Sequence, residues 1–124
     1  MNALVLVMAG GAMGAGLRHL VGRAALLAFG AGWPWGTLIV NLIGGLVMGI
    51  VATSVSRFAS AEAWRLFLAV GVLGGFTTFS AFSLDAMLMI ERGALVQMAG
   101  YVALSVIGSI VALALGATLA RSVA

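Results

Sequence analysis

Thr37 and Asn41 stand four residues apart, Phe79 and Phe82 three apart, and Tyr101, Ser105 and Ser109 four apart in succession. These spacings set each group as a stripe along one helix face. Hydroxyls and a carboxamide donate hydrogen bonds without fixing a full charge, so a row of them suits an ion that has shed its water. The same groups can also be glue between helices, worth roughly 1 kcal/mol per bond. Spacing alone leaves both uses open. A second kind of chemistry is offered by Gly74-Gly75-Phe76-Thr77-Thr78-Phe79-Ser80, where two glycines and two β-branched residues disfavour continuous helix. A break there frees backbone carbonyls, hard ligands suited to a cation such as Na⁺, and a two-fold axis could bring two copies of the break around one ion.

The elements that must position these residues follow from composition. Of 124 residues, 64% are hydrophobic and 7% charged, a balance foreign to water-soluble domains. A helix crosses the hydrocarbon with about 20 apolar residues, so the chain holds four spans and little else. Charged positions, costly at the bilayer centre, divide it into helices at about residues 3–28, 34–56, 61–90 and 93–120, one four-helix transmembrane domain over 1–124. The third is expected to be broken near the bilayer centre. Short linkers make successive helices antiparallel neighbours. Arg18, His19 and Arg23 fall in the second half of the first helix, so they must reach an interface or a wet cavity. Trp33, Trp35 and Trp64 lie at span ends, where indoles anchor at the membrane surface. Residues 1–16 lack a basic leader region and read as the start of the first helix, not as a signal peptide. Gly44, Gly45, Gly49, Gly108 and Gly116 read as places of close helix approach.

Depth ties the stripes together. With a rise of about 1.5 Å per residue and Gly45 at mid-span, Asn41 lies about 6 Å toward the side that carries the first and third loops. The third helix runs the other way, and Phe79 and Phe82 fall about 6 and 10 Å toward that same side. Tyr101 and Ser105 share this half, Ser109 lies just past the centre, and Arg18 sits on the corresponding part of the first helix. Four helices thus place polar or aromatic groups in one zone.

Charge excludes several functions and leaves orientation open. The isoelectric point of 11.3 comes from six arginines set against Glu62, Asp85 and Glu91. They are scattered singly, whereas nucleic acid needs cations gathered on one solvated face. No cysteine is present, which rules out disulfides and thiolate chemistry. No nucleophile and base can be paired, so an enzyme is not expected. Arg57, Arg65 and Arg121 fall on one side of the membrane and Arg18, Arg23 and Arg92 on the other. Three against three favours no orientation, as a chain that inserts both ways and pairs with an inverted copy of itself would require. Six charges are also few enough to conceal a bias.

Three segments together resemble the Fluc, or CrcB, family of fluoride channels: Gly10-Gly11-Ala12-Met13-Gly14-Ala15-Gly16-Leu17-Arg18, Gly36-Thr37-Leu38-Ile39-Val40-Asn41-Leu42-Ile43-Gly44, and Gly74-Gly75-Phe76-Thr77-Thr78-Phe79-Ser80-Ala81-Phe82-Ser83. The resemblance implies passive, fluoride-selective conduction through two pores in an antiparallel, dual-topology homodimer of the cell inner membrane, exporting fluoride from the cytoplasm. It implies that Asn41 is the pore amide and that Phe79 and Phe82 present positive ring edges to the anion. Thr37, Tyr101, Ser105 and Ser109 are its further polar contacts and Arg18 its vestibule arginine. Gly74 and Thr77 correspond to positions whose carbonyls hold a structural Na⁺. His19, Val72 and Ala81 depart from the family's usual residues without removing a proposed pore contact. His19 reads as interfacial, and Asp85 as a residue that orients its neighbours. Small multidrug transporters, also four-helix dual-topology dimers, need a carboxylate in the first helix, and none is there.

Overall fold

The structure, a computed structural model, describes residues 2–123. Four helical stretches are long and apolar enough to cross a membrane: Ala3–Phe29, Trp35–Arg57, Ala61–Glu91 and Leu95–Ser122. Helix α1 (Ala3–Phe29) starts at Asn2, whose Oδ1 accepts the Leu4 N–H at 2.8 Å, the usual way of satisfying an open amide of the first turn. It ends at Gly30, whose φ of 77° suits a residue without Cβ. Helix α2 (Trp35–Ser54) begins just after Pro34 and tightens into a 3₁₀ turn at Val55–Arg57.

The third span changes character along its length. It opens as α3 (Ala61–Trp64), widens into a π-helix over Arg65–Leu73, and returns to α-geometry for one turn, α4 (Gly74–Phe76). Thr77 (φ −82°, ψ 158°) and Thr78 (φ −150°, ψ 121°) are extended, and α5 (Phe79–Glu91) then begins with the Thr78 hydroxyl capping the Ala81 N–H at 3.1 Å. Helix α5 stops in a Schellman-type turn. Gly93, at φ 75°, donates to Ile90 O and Ala94 to Met89 O, both at 2.9 Å. Helix α6 (Leu95–Ser122) therefore begins and ends two residues later than the expected 93–120.

Glycine decides how the helices approach. Helix α1 lies along the π-helix and α4, and a Cβ on Gly10, Gly14 or Gly75 would run into backbone of the facing helix. Helix α6 lies along α2 in the same way, with Gly49 against Leu113 and Gly116 against Leu46. Backbones this close are the usual means of helix association in lipid, where apolar side chains gain little by meeting one another. A small core of Leu38, Phe82, Met89 and Tyr101 closes the end that carries the first and third loops. Only 11% of the most apolar stretch of the first and of the fourth span is buried within the chain.

Candidate functional site

An open groove of about 440 Å³ runs between α2, the extended threonines and α6. Asn41, Phe79, Phe82, Ser105 and Ser109 line it together, with Thr77 and Thr78 at its wall and Val106, Ile110 and Leu113 as aliphatic flank. Thr37 and Arg18 line a neighbouring cavity of about 580 Å³, which Thr78 shares. Tyr101 is fully buried behind Phe82.

The groove is built around one reciprocal pair. Asn41 Oδ1 accepts the Thr78 N–H at 2.9 Å, and Asn41 Nδ2 donates to the Thr78 carbonyl at 3.1 Å. The carboxamide thus replaces a strand partner for one extended residue and keeps a second N–H for another acceptor. Local sequence explains why the backbone is available for this. Thr77 turns its hydroxyl back to Leu73 O at 2.9 Å, as β-branched hydroxyl residues do when leaving a helix. Because the Thr78 amide goes to Asn41 and the Ala81 amide to Thr78 Oγ1, the Gly74 and Thr77 carbonyls lose the donors that would continue a helical ladder. These are uncharged hard oxygens at the helix interruption, and Gly74 is exposed.

Phe79 and Phe82 sit 5.5 Å apart between centroids with rings inclined at 48°. Phe82 is buried and packs on Tyr101 at 5.3 Å, whereas Phe79 is 77% exposed and projects from the chain. The Tyr101 hydroxyl donates to Asp85 Oδ2 at 3.0 Å, so the carboxylate orients a neighbour. Trp33 meets Tyr101 edge-on at 5.5 Å, so it packs inward on the core. Ser105 is 6% exposed, and its Oγ has no hydrogen-bond partner among the described residues. A buried polar atom without a partner is rare and costly, and is found where something else supplies the partner.

Arg18 donates through Nε to the Gly75 carbonyl at 3.1 Å. One guanidinium therefore satisfies a carbonyl of α4 and charges the adjoining cavity. Two contributors to this site escaped sequence reasoning. Thr78 was visible only as a β-branched residue in an unstable stretch, and its pairing with Asn41 depends on register between two spans. Gly44 read as a packing residue, yet a Cβ there would overlap the Thr77 methyl that lines the groove, so its smallness shapes the site directly.

Residues 5–117 match the family described as CrcB-like protein, Camphor Resistance (CrcB). A protein of Sphingopyxis alaskensis named fluoride-specific ion channel FluC is 52% identical over 122 residues, covering 98% of this chain and 97% of that relative. Proteins of the same name from Caulobacter sp. strain K31 and Mesorhizobium japonicum are 52% identical over 125 residues and 50% identical over 119, each covering at least 96% of both chains.

Proposed function

The chain belongs to the CrcB-like family, and from that membership we propose that it is a fluoride-selective channel whose pore wall is the groove of Asn41, Phe79, Phe82, Ser105 and Ser109. The observation that carries the reading is the partnerless Ser105 hydroxyl, buried in a groove that also holds an amide and two phenyl rings. Fluoride is small and holds its water tightly, so a selective path must replace that shell with closely set donors. The Asn41 amide and the Ser105 and Ser109 hydroxyls supply donors. The rings of Phe79 and Phe82 add the positive rim of their quadrupoles in a narrow, dry passage. Larger ions fit such a passage poorly and gain less from it. Thr37 extends the polar track, Tyr101 supports it from behind Phe82, and Arg18 draws anions into the cavity that precedes it.

A second, inverted copy completes the wall. Phe79 is 77% exposed, too large an apolar ring to stand free in a pore lining, and the evenly divided arginines allow opposed insertion. Two copies about a two-fold axis in the membrane plane give two pores, and the interruption of the third span then lies near the bilayer centre. The Gly74 and Thr77 carbonyls, deprived of their helical donors, are the groups that would hold Na⁺, and the ion would supply a positive charge for these uncharged oxygens and a tie between the subunits. The path contains no mobile carrier group, so flux is passive and, in a cell of the inner-membrane type, relieves the cytoplasm of accumulated fluoride.

The test is fluoride efflux from liposomes holding the purified chain, read with a fluoride electrode after a potassium ionophore is added. Fluoride should leave rapidly while chloride stays, and Asn41→Asp or Phe79→Ile should abolish the flux without dispersing the dimer. A folded dimer that passes no fluoride, or passes chloride equally well, would overturn the reading.

A further inference from the structure

Adjacent glycines of α2 serve different neighbours. A Cβ on Gly45 would run into the Ser109 carbonyl of α6, the same approach to facing backbone as at Gly49 and Gly116. Gly44 is buried and faces the third span, and there a Cβ would overlap a side-chain atom, the Thr77 methyl. That methyl cannot swing aside. Threonine is stiff at χ1, and its other branch is committed, since the Thr77 hydroxyl donates to the Leu73 carbonyl at 2.9 Å. With the methyl gone, the nearest atoms to such a Cβ would be Phe76 Cδ2 at 3.5 Å and Thr77 Cβ at 3.6 Å, ordinary van der Waals contacts. One turn earlier on α2, Asn41 holds the N–H and the carbonyl of Thr78. Residues three apart share a helix face, so one face of α2 grips both extended threonines, Thr78 by hydrogen bonds and Thr77 by shape.

We propose that Gly44 is a positioning residue matched to the methyl of Thr77: the bare backbone at 44 seats that methyl, and the seat fixes the direction of the Thr77 carbonyl and the shape of the groove wall. The proposal deepens the channel reading and rests on it. Gly44 and Thr77 line the groove together with Asn41, Phe79, Phe82 and Ser105, and Thr77 is the residue at which the third span leaves its helix. A methyl added at Gly44 pushes Thr77 away from α2, turns its carbonyl and strains the Asn41–Thr78 pair beside it. No soft side chain is there to absorb the overpacking. Serine at 77 keeps the hydroxyl that bonds Leu73 and removes only the atom in the way. The harm done by the added methyl therefore depends on which residue stands at 77, as expected of two positions in direct contact.

Gly44→Ala should slow fluoride efflux per folded protein about tenfold, and raise by about as much the Na⁺ concentration that half-saturates thermal stabilisation. Thr77→Ser leaves a methyl-sized gap and should slow efflux about twofold. With Gly44→Ala and Thr77→Ser combined, both quantities should return to within about threefold of Thr77→Ser alone. A methyl that acts on packing only would lower melting equally in Na⁺ and in a bulky organic cation and leave efflux per folded protein unchanged, and that pattern overturns the proposal. So does a harmless Gly44→Ala, or a double variant no better than Gly44→Ala. Should Gly44→Ala fail to fold, the double variant decides: folded, conducting protein upholds the pairing and anything less overturns it. A wild type that passes no fluoride removes the channel reading, and melting of the same variants still tells whether positions 44 and 77 are matched. A conducting wild type without rescue by Thr77→Ser removes only the pairing.

Discussion

Ser105 separates function from stability more cleanly than any other residue of the groove. Its hydroxyl is buried and unpaired, so deleting it relieves the fold of an unsatisfied polar atom instead of breaking a bond. Ser105→Ala should therefore leave thermal stability in detergent unchanged or slightly raised while fluoride flux falls about tenfold, the worth of one hydrogen bond to an ion. A parallel loss of both would make Ser105 a structural residue. Tyr101 is expected to behave in the opposite sense. Tyr101→Phe takes away the donor to Asp85 and strands a carboxylate beside the core, so melting should shift downward by roughly 0.6–1.7 kcal/mol, the range of interhelical bonds in membranes.

At the scale of elements, the third span is the piece on which the others depend. Its π-helix and single turn of α4 bring backbone against Gly10 and Gly14 of α1. Gly14→Ala or Gly75→Ala forces a methyl into facing backbone and should cost about 1–3 kcal/mol or the folded state altogether. Gly100→Ala, on α6 with open space around it, should be silent or favourable. Yield of monodisperse protein and its melting temperature compare the two directly. The number of spans and their antiparallel order were legible because twenty-residue apolar runs and single charges are local signals. Depth counting also grouped Asn41 with Phe79, Phe82, Ser105 and Ser109, since rise per residue is nearly constant. Three things were not legible. The π-helix packs along α1 with no local signal of its own, the Asn41–Thr78 pair depends on register between spans, and the inward placing of Trp33 on its packing against Tyr101. None of these leaves a mark in periodicity.

Among the described residues many more hydrophobic side chains are exposed than buried, and by their place in the sequence the arginines count three toward each end of the spans. The chain contains no cysteine, so a single Gly32→Cys substitution in the first loop gives one reporter. In sealed vesicles an impermeant thiol reagent should label about half of the molecules from outside and the rest only after permeabilisation. Labelling from one side alone would exclude opposed insertion. Replacing Na⁺ by a bulky organic cation throughout purification should lower the protein's melting temperature, an effect absent if the Gly74 and Thr77 carbonyls hold nothing. The Asn41–Thr78 pair lies where these concerns intersect. In the proposed channel, the amide offered to a passing anion is the same group that withholds Thr78 from its helix and so uncovers the Gly74 carbonyl. Selectivity and assembly are therefore inherited together: a population selected to repair a damaged Asn41 should recover compensating changes around the third span's threonines, and seldom elsewhere.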